Sequence, residues 1–393
     1  MNDTGAAGSW NGRIALLALV ATSGVAVIYV PQPIQTLVAA EFGVSIADSA
    51  LANVAVQAGY ALGVLLLVSL SDRFSARSQI TLQLVATAGA LTAAALAPSH
   101  GLYVAMCFVA GATATVGQIL IAMALRLAPP AARARIAAVL IGSFLVGLFS
   151  VRTALGALAE LAGWRAVVLG VAVILLALVP VCRSVVPRNS PASPPSAREI
   201  LLSIPRIARV SPGLQLVTTM HTLCFAAFIG SWTLSTVHAV QVLEFSVASA
   251  ALLGLAGLAG GATTIAVAPL HHRIGARRSF LFSLASLIVG TAMLTAASGE
   301  VAMVVGGLYL VSLGLSSGQV STQARALASV APHESGRANT VFVTITFLGG
   351  ALATAVADAA YRWGGFSTVG ALSLVYVVLA SLVTALAIRR GVL

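Results

Sequence analysis

Apolar stretches, each about as long as a bilayer is thick, follow one another along nearly the whole chain, with short polar breaks between them. A spanning helix needs about 20 mostly apolar residues. By that ruler roughly twelve stretches qualify, at about 14–39, 49–70, 79–97, 101–127, 136–158, 165–182, 213–238, 246–269, 279–298, 302–328, 338–360 and 366–388. They are too long for barrel strands and lack period-two alternation, which excludes a closed barrel. The pattern predicts an all-α polytopic membrane protein with twelve transmembrane helices. One polar stretch stands apart. RSVVPRNSPASPPSAREILLSIPRIARVSPG, from Arg183 to Gly213, is rich in Pro, Ser and Arg and reads as a linker, with a short surface helix at about 197–209. The chain thus divides into an N-terminal six-helix bundle (1–182), a cytoplasmic linker (183–212) and a C-terminal six-helix bundle (213–393).

The two bundles are copies. LSDRFSARS at 70–78 is echoed by LHHRIGARRS at 270–279, with Leu70, Arg73, Ala76 and Arg77 falling on Leu270, Arg273, Ala276 and Arg277. Gly117-Gln118 matches Gly318-Gln319, Ala128-Pro129-Pro130 matches Ala331-Pro332-His333, and Gly163-Trp164 matches Gly365-Phe366. An ordered series at near-constant offset marks a tandem duplication. An even number of helices per copy keeps both in one orientation, the parallel-repeat arrangement of transporters whose site lies at mid-membrane between the halves.

Composition agrees. Of the 393 residues, 59% are hydrophobic and 8% charged, against about 25% charged in a soluble domain. The net charge of +11 comes from arginine alone, since the chain has no lysine. The arginines stand one to three at a time between apolar runs, which argues topology and not nucleic acid. With the N-terminus inside, most of them fall on the cytoplasmic side, and Arg152, Arg165 and Arg362 do not. Both termini are therefore expected in the cytoplasm. Cys107, Cys182 and Cys224 sit in apolar segments with no metal-ligand spacing, so no disulfide, metal or cofactor is expected.

Span count, central linker and duplicated hairpin together resemble the major facilitator superfamily. The family's loop between helices two and three carries an Asp-Arg core between two glycines and basic residues; here Asp72-Arg73 and Arg77 are present, with Val68 and Ser75 in place of the glycines. The second copy keeps Gly275 and has His272 where the acid would be. VPQPIQTLVAAEFGVS at 30–45 and SGRANTVFVTITFLGGALATAVADAAYRWGGF at 335–366 look most like bacterial drug-efflux and sugar-efflux members. Efflux antiporters of the family carry a Gly-Pro-rich signature in helix five. Here the stretch is GLFSVRTALGAL, with Gly147 and Gly156 kept and Thr153 at the proline's place. The resemblance implies a cytoplasmic latch at Asp72, Arg73 and Arg77, with the start of helix eleven near Gly336 and Arg337 as its counterpart; read alone, that loop is also an ordinary solvated basic turn.

Candidate chemistry lies inside the spans. Arg152 in the fifth is costly there; it either contacts an anion or snorkels toward Glu160 or Glu41. His221, Phe225, Phe228 and Trp232 share a face of the seventh, as a cavity wall or a packing face. Asn53, Gln57 and Tyr60 share a face of the second, and Ser316, Gln319 and Gln323 one of the tenth. With Gln32 and Gln35 in the first and Gln118 in the fourth, these groups either line a neutral polar cavity or hydrogen-bond between helices. For proton coupling, the acids of the first half, Glu41, Asp48, Asp72 and Glu160, all fall at membrane edges. That leaves His221 and Asp358, the latter one turn from Arg362. No phosphate loop or catalytic constellation appears. The reading is no enzyme but a secondary active transporter of the bacterial inner membrane, exporting a small neutral or amphipathic organic compound by alternating access, with protons as the candidate coupling ion. Its partners are that substrate and the lipid bilayer, with no nucleic acid and no second copy. The alternatives are a carrier for a small organic anion using Arg152, and a non-transporting sensor or partner subunit.

Overall fold

The computed structural model describes residues 3–127, 147–187, 196–297, 299–331 and 334–392. Among them every regular element is helical. Lipid offers the backbone no hydrogen-bond partners, so a spanning segment must satisfy its own amides, and a helix does so within one segment. Nine helices among the described residues are long and apolar enough to cross a membrane. The last of them, Ser335–Arg389, breaks at Gly364 and Gly365, where the backbone leaves the helical region. Adding that break, the helix Ala76–Ala95 and the described helix at 147–162 gives twelve rods. We number them α1 (Ala15–Phe42), α2 (Ile46–Ser71), α3 (Ala76–Ala95), α4 (His100–Ile121), α5 (147–162), α6 (Trp164–Val185), α7 (Pro212–Gln241), α8 (Val247–Val267), α9 (Arg277–Ala296), α10 (Val301–Ala328), α11 (335–363) and α12 (366–389). Between α6 and α7 runs the linker helix Ala197–Val210, opened by a capping box of Ser196 and Glu199.

Local chemistry explains the breaks. Pro31 has no N–H to offer the Val27 carbonyl four residues back. Val27 instead accepts from the Val30 N–H at 3.2 Å, and α1 passes through a 3-10 turn at Val27–Tyr29 before resuming. The duplication is visible in the backbone as well. Gly43 (φ 63°) and Glu244 (φ 55°) turn left-handed 201 residues apart. Two residues later Ser45 caps Asp48 N–H and Ser246 caps Ser249 N–H, starting α2 and α8 alike. Gly163 (φ 81°) and Gly365 (φ 70°) turn the chain into α6 and α12.

The starts of odd helices and the ends of even ones gather at one end of the bundle with the linker. Arg77 Nε donates to Val186 O at 2.6 Å, joining α3 to the end of α6, and Ser211 Oγ donates to Ser329 O at 3.0 Å, joining α7 to the end of α10. We call this the linker end and the opposite one the far end. At the far end of the first half, Arg165 Nε meets Glu41 Oε1 at 2.5 Å and lies over the Trp164 ring, while Trp164 Nε1 donates to Glu41. Within that half α2 and α4 nearly touch: a Cβ on Gly63 would lie 2.0 Å from Ala112 O. The outer faces carry exposed Leu82, Val173 and Leu352, which suit a hydrocarbon surround.

Candidate substrate cavity

A cavity lies between the first six helices and the last six. Its envelope holds about 860 Å³ of space not filled by atoms, the part open to solvent included. Much of the wall is aromatic: Tyr29 from α1, Tyr60 from α2, Phe149 from α5, Phe225 and Phe228 from α7, Phe342 and Phe347 from α11. The polar groups are Gln118 from α4, His221 from α7, Ser316, Gln319 and Gln323 from α10 and Thr346 from α11. Among the described lining residues there is no Asp, Glu or Arg.

These groups are held by their neighbours. Gln118 Nε2 donates to Tyr60 OH at 3.3 Å, and Gln323 Nε2 to Asn339 Oδ1 at 2.8 Å. The His221 ring stacks on Phe342 with centroids 4.8 Å apart, and its Nδ1 lies 3.1 Å from Thr322 Oγ1. The Thr322 hydroxyl proton already serves Gly318 O at 2.9 Å. Which of the two atoms donates in the His221–Thr322 bond follows the imidazole tautomer, and the other ring nitrogen, Nε2, takes the complementary role.

Toward the far end the cavity is capped by a polar layer that ties the halves together. Arg152 on α5 is 1% exposed. Its Nη1 donates to Gln32 Oε1 on α1. Its Nη2 reaches α7 in the other half, at Trp232 O (2.7 Å), Ser235 Oγ (3.2 Å) and Thr236 Oγ1 (2.6 Å). The guanidinium carbon lies 4.9 Å from the Trp232 ring centroid. Gln32 Nε2 also crosses to Thr233 Oγ1 at 3.4 Å. On the other side of the layer Asn53 Nδ2 donates to Gln35 Oε1 at 2.9 Å, and Gln57 Nε2 crosses from α2 to Thr354 Oγ1 on α11 at 3.0 Å. Farther out, Glu160 Oε2 on α5 accepts the Ala248 N–H of α8 at 2.5 Å.

The structure therefore divides the expected cavity residues. Tyr60, Gln118, His221, Phe225, Gln319 and Gln323 line the space, while Gln35, Asn53, Gln57, Arg152 and Trp232 lie outside it. The face shared by Asn53 and Tyr60 runs about 10 Å along its helix at 1.5 Å per residue, far enough to pass from the capping layer into the cavity. Trp232 still neighbours Phe228, with centroids 6.2 Å apart, but lies beyond the cavity, its Nε1 donating to Ser312 Oγ at 3.0 Å. Snorkelling of Arg152 toward Glu160 or Glu41 is corrected: those carboxylates serve Ala248 and Arg165, and Arg152 turns inward to α7. Asp358 pairs with Arg362 at 3.3 Å. At the linker end, Arg73 of the first hairpin and Arg337 at the start of α11 are partly buried, and the side chains of Asp72 and His272 lie outside the described residues. Tyr29, Phe149, Phe342 and Phe347, and the α7 acceptors Ser235 and Thr236, were not anticipated. The adjacent small hydroxyls of Ser235 and Thr236 in STVH, 235–238, are the sequence signal that could have pointed to a buried donor nearby.

Residues 14–354 match the family model of the Major Facilitator Superfamily. The chain belongs to that family. Its members are transporters, and so is a relative with 31% identity over 370 residues, named as a probable transporter of Streptomyces coelicolor; the match covers 92% of this chain and 85% of that one. The uncharacterized transporter YgaY of Escherichia coli O157:H7 is 33% identical over 166 residues, 42% of each chain. Two solved structures superpose over almost the full length. A bacterial homolog of the human lysosomal transporter Spinster, inward-facing and unoccupied, has TM-score 0.72 at 14% identity, covering 96% of this chain and 97% of its own. The human organic anion transporter MFSD10 has TM-score 0.70 at 18% identity, covering 94% and 99%. At such identities the likeness is one of fold. This major facilitator protein is thus a multi-pass membrane transporter and not an enzyme, with its cavity where parallel-repeat carriers bind their cargo.

Proposed function

We propose that this transporter exports a small neutral or amphipathic organic compound across a bacterial inner membrane by alternating access. One observation carries the reading: the cavity wall is made of aromatic rings, amides and hydroxyls, with His221 and no acid or arginine among its described residues. Such a wall binds by apolar contact and a few neutral hydrogen bonds. The arginine distribution supports a cytoplasmic linker end. Under that orientation the hydrogen bonds joining the halves among the described residues lie outside the cavity, on the periplasmic side, and we read this conformation as the inward-facing one. In this reading proton antiport runs through His221, whose imidazole stands on the cavity wall. Asp358 is already paired. The protein works as a monomer in the bilayer.

Inverted membrane vesicles test this. A panel of labelled neutral, cationic and anionic aromatic compounds is offered under an imposed ΔpH. Accumulation of neutral or amphipathic members, abolished by filling the cavity with Gln319→Trp, supports the reading; accumulation of anions alone replaces it with the second one. That second reading, a carrier of small organic anions, is favoured by a single observation: Arg152 is buried between the halves with no carboxylate bonded to it among the described residues.

A further inference from the structure

We propose that Arg152 is a carboxylate receptor of the periplasm-open state, and that capture of an anion there competes with the closure seen here. The proposal rests on the alternating-access part of the reading above and not on the identity of the cargo.

The guanidinium has two edges with different fates. Nη1 is bound to Gln32 of its own half. Nη2 is spread over Trp232 O, Ser235 Oγ and Thr236 Oγ1, all on α7 of the other half. Nε is buried without a hydrogen-bond acceptor. When the halves part at the far end, Gln32 keeps Nη1 and α7 withdraws every acceptor from Nη2. The Nε–Nη2 edge is then bare, and that edge presents two parallel N–H groups matched to the two oxygens of a carboxylate. The charge itself also calls for a counter-ion. Glu41 is held by Arg165, Glu160 by Ala248 N–H and Asp358 by Arg362, and among the described residues the hydrogen-bond partners of Arg152 are all neutral. Pairing a shielded guanidinium with an anion repays its desolvation only with good geometry and further hydrogen bonds to the anion, which the parallel N–H pair of the freed edge begins to supply. In the closed state Phe149 and Trp232, with ring centroids 5.1 Å apart, stand between the guanidinium and the cavity, so the anion reaches it from the far side.

Spin labels on Leu161→Cys at the end of α5 and Val242→Cys just past α7, both exposed, report far-end opening by pulsed dipolar distances. The background replaces Cys107, Cys182 and Cys224 with Ala, and the protein is held in lipid discs without transported substrate. Sodium acetate is compared with sodium chloride and with the bulky sulfonate MES. We expect acetate to raise the far-open population at least about fivefold over MES, the lower range of coupling between linked sites. Arg152→Gln should open the far end and erase the response. Ser235→Ala with Thr236→Val, which leaves Arg152 in place, should open the far end and keep the response; this variant also serves if Arg152→Gln does not fold. An effect of acetate alone supports a carboxylate receptor; an equal effect of chloride overturns the carboxylate assignment. The proposal is overturned if no anion shifts the population in the parent and in the double variant, or if the acetate response survives in Arg152→Gln. Because no cargo is present, a failed export screen leaves this result standing, and a failed anion response leaves the cavity reading standing.

Discussion

Gly156 sits at the crossing of α5 and α8, on the far-end seam between the halves. A Cβ built there would lie 2.4 Å from Ala251 Cβ, with Pro33 Cβ at 3.4 Å and Val247 O at 3.5 Å. Neither Cβ can rotate away, since each is fixed to its backbone. Carbon atoms pack best at about 3.5–4.0 Å, so Gly156→Ala forces the helices apart by roughly 1.1–1.6 Å or leaves the clash in place. Overpacking of this kind costs about 1–3 kcal/mol. The whole cost falls on the far-closed state, because the contact joins the two halves and is absent once they part. At about 2 kcal/mol the ratio of far-open to far-closed molecules rises about 30-fold. A far-open state of about 1% would then reach about a quarter of the population. The Leu161–Val242 label pair reads this as a second, longer distance that grows in Gly156→Ala. Gly170→Ala, where an added Cβ meets nothing within 4 Å, should leave the distances unchanged. If Gly156→Ala instead melts earlier with its distances intact, the crossing is a fixed element of the fold and not a seam that opens, and the reasoning fails.

The remaining predictions use other contacts. Gly63→Ala, whose Cβ would sit 2.0 Å from Ala112 O inside one half, should cost about 1–3 kcal/mol of stability and lower the melting temperature without changing the label distances, since the contact is the same in both states. His221→Gln keeps a side chain able to bond Thr322 but removes titration; it should retain binding and lose ΔpH-driven accumulation, and accumulation that persists clears His221 of coupling. A reporter fused after Arg198 should read cytoplasmic and one after Asp48 periplasmic; reversed labelling would invert the orientation of the cavity. Asp72→Asn tests the latch that the family resemblance implies at the linker end: it should raise the inward-open population, seen as less crosslinking across that end, and unchanged crosslinking removes the latch from the reading.

The fold was legible because a bilayer imposes one length on every segment, and apolar runs of that length were plain in the chain. The duplication was legible for a similar reason. Turn chemistry repeats wherever a helix must end, so Gly163 and Gly365 recur with the same left-handed backbone. The cavity was legible only where it is polar. Gln118, His221, Gln319 and Gln323 announced themselves because an amide or imidazole in hydrocarbon needs water or a partner. Phe149, Phe342 and Phe347 did not, because in a membrane protein the lipid face and the cavity face are equally apolar and periodicity cannot tell them apart. The polar layer was partly misread for a geometric reason. Asn53 and Tyr60 share a helix face, and a shared face says nothing about depth along the bundle axis.

That depth decides what Arg152 can do. An arginine and a carboxylate placed across this seam would make a strong closure and a poor hinge. Removing one partner of a buried pair costs about 3–5 kcal/mol, because one charge is left uncompensated, and parting the pair leaves two to be compensated. Arg152 is instead met by one carbonyl and two hydroxyls of α7. When these separate, the neutral partners satisfy themselves locally, as Ser235 Oγ already does with Trp232 O at 2.8 Å, and a single charge remains to be hydrated or paired with an anion. Hydrogen bonds to a charged group are worth about 1.5–3 kcal/mol each, and two hydroxyls and a carbonyl sharing one nitrogen fall short of three full bonds. The seam is thus held firmly enough to favour the closed far end, yet it leaves only Arg152 to be compensated on opening. A replacement that supplied an acid here, Ser235→Asp, should therefore lock the far end: the Leu161–Val242 distance should collapse to its short value in every anion, and transport should cease with the cavity still able to bind. Continued transport in Ser235→Asp would show that the far end does not open along the α5–α7 seam.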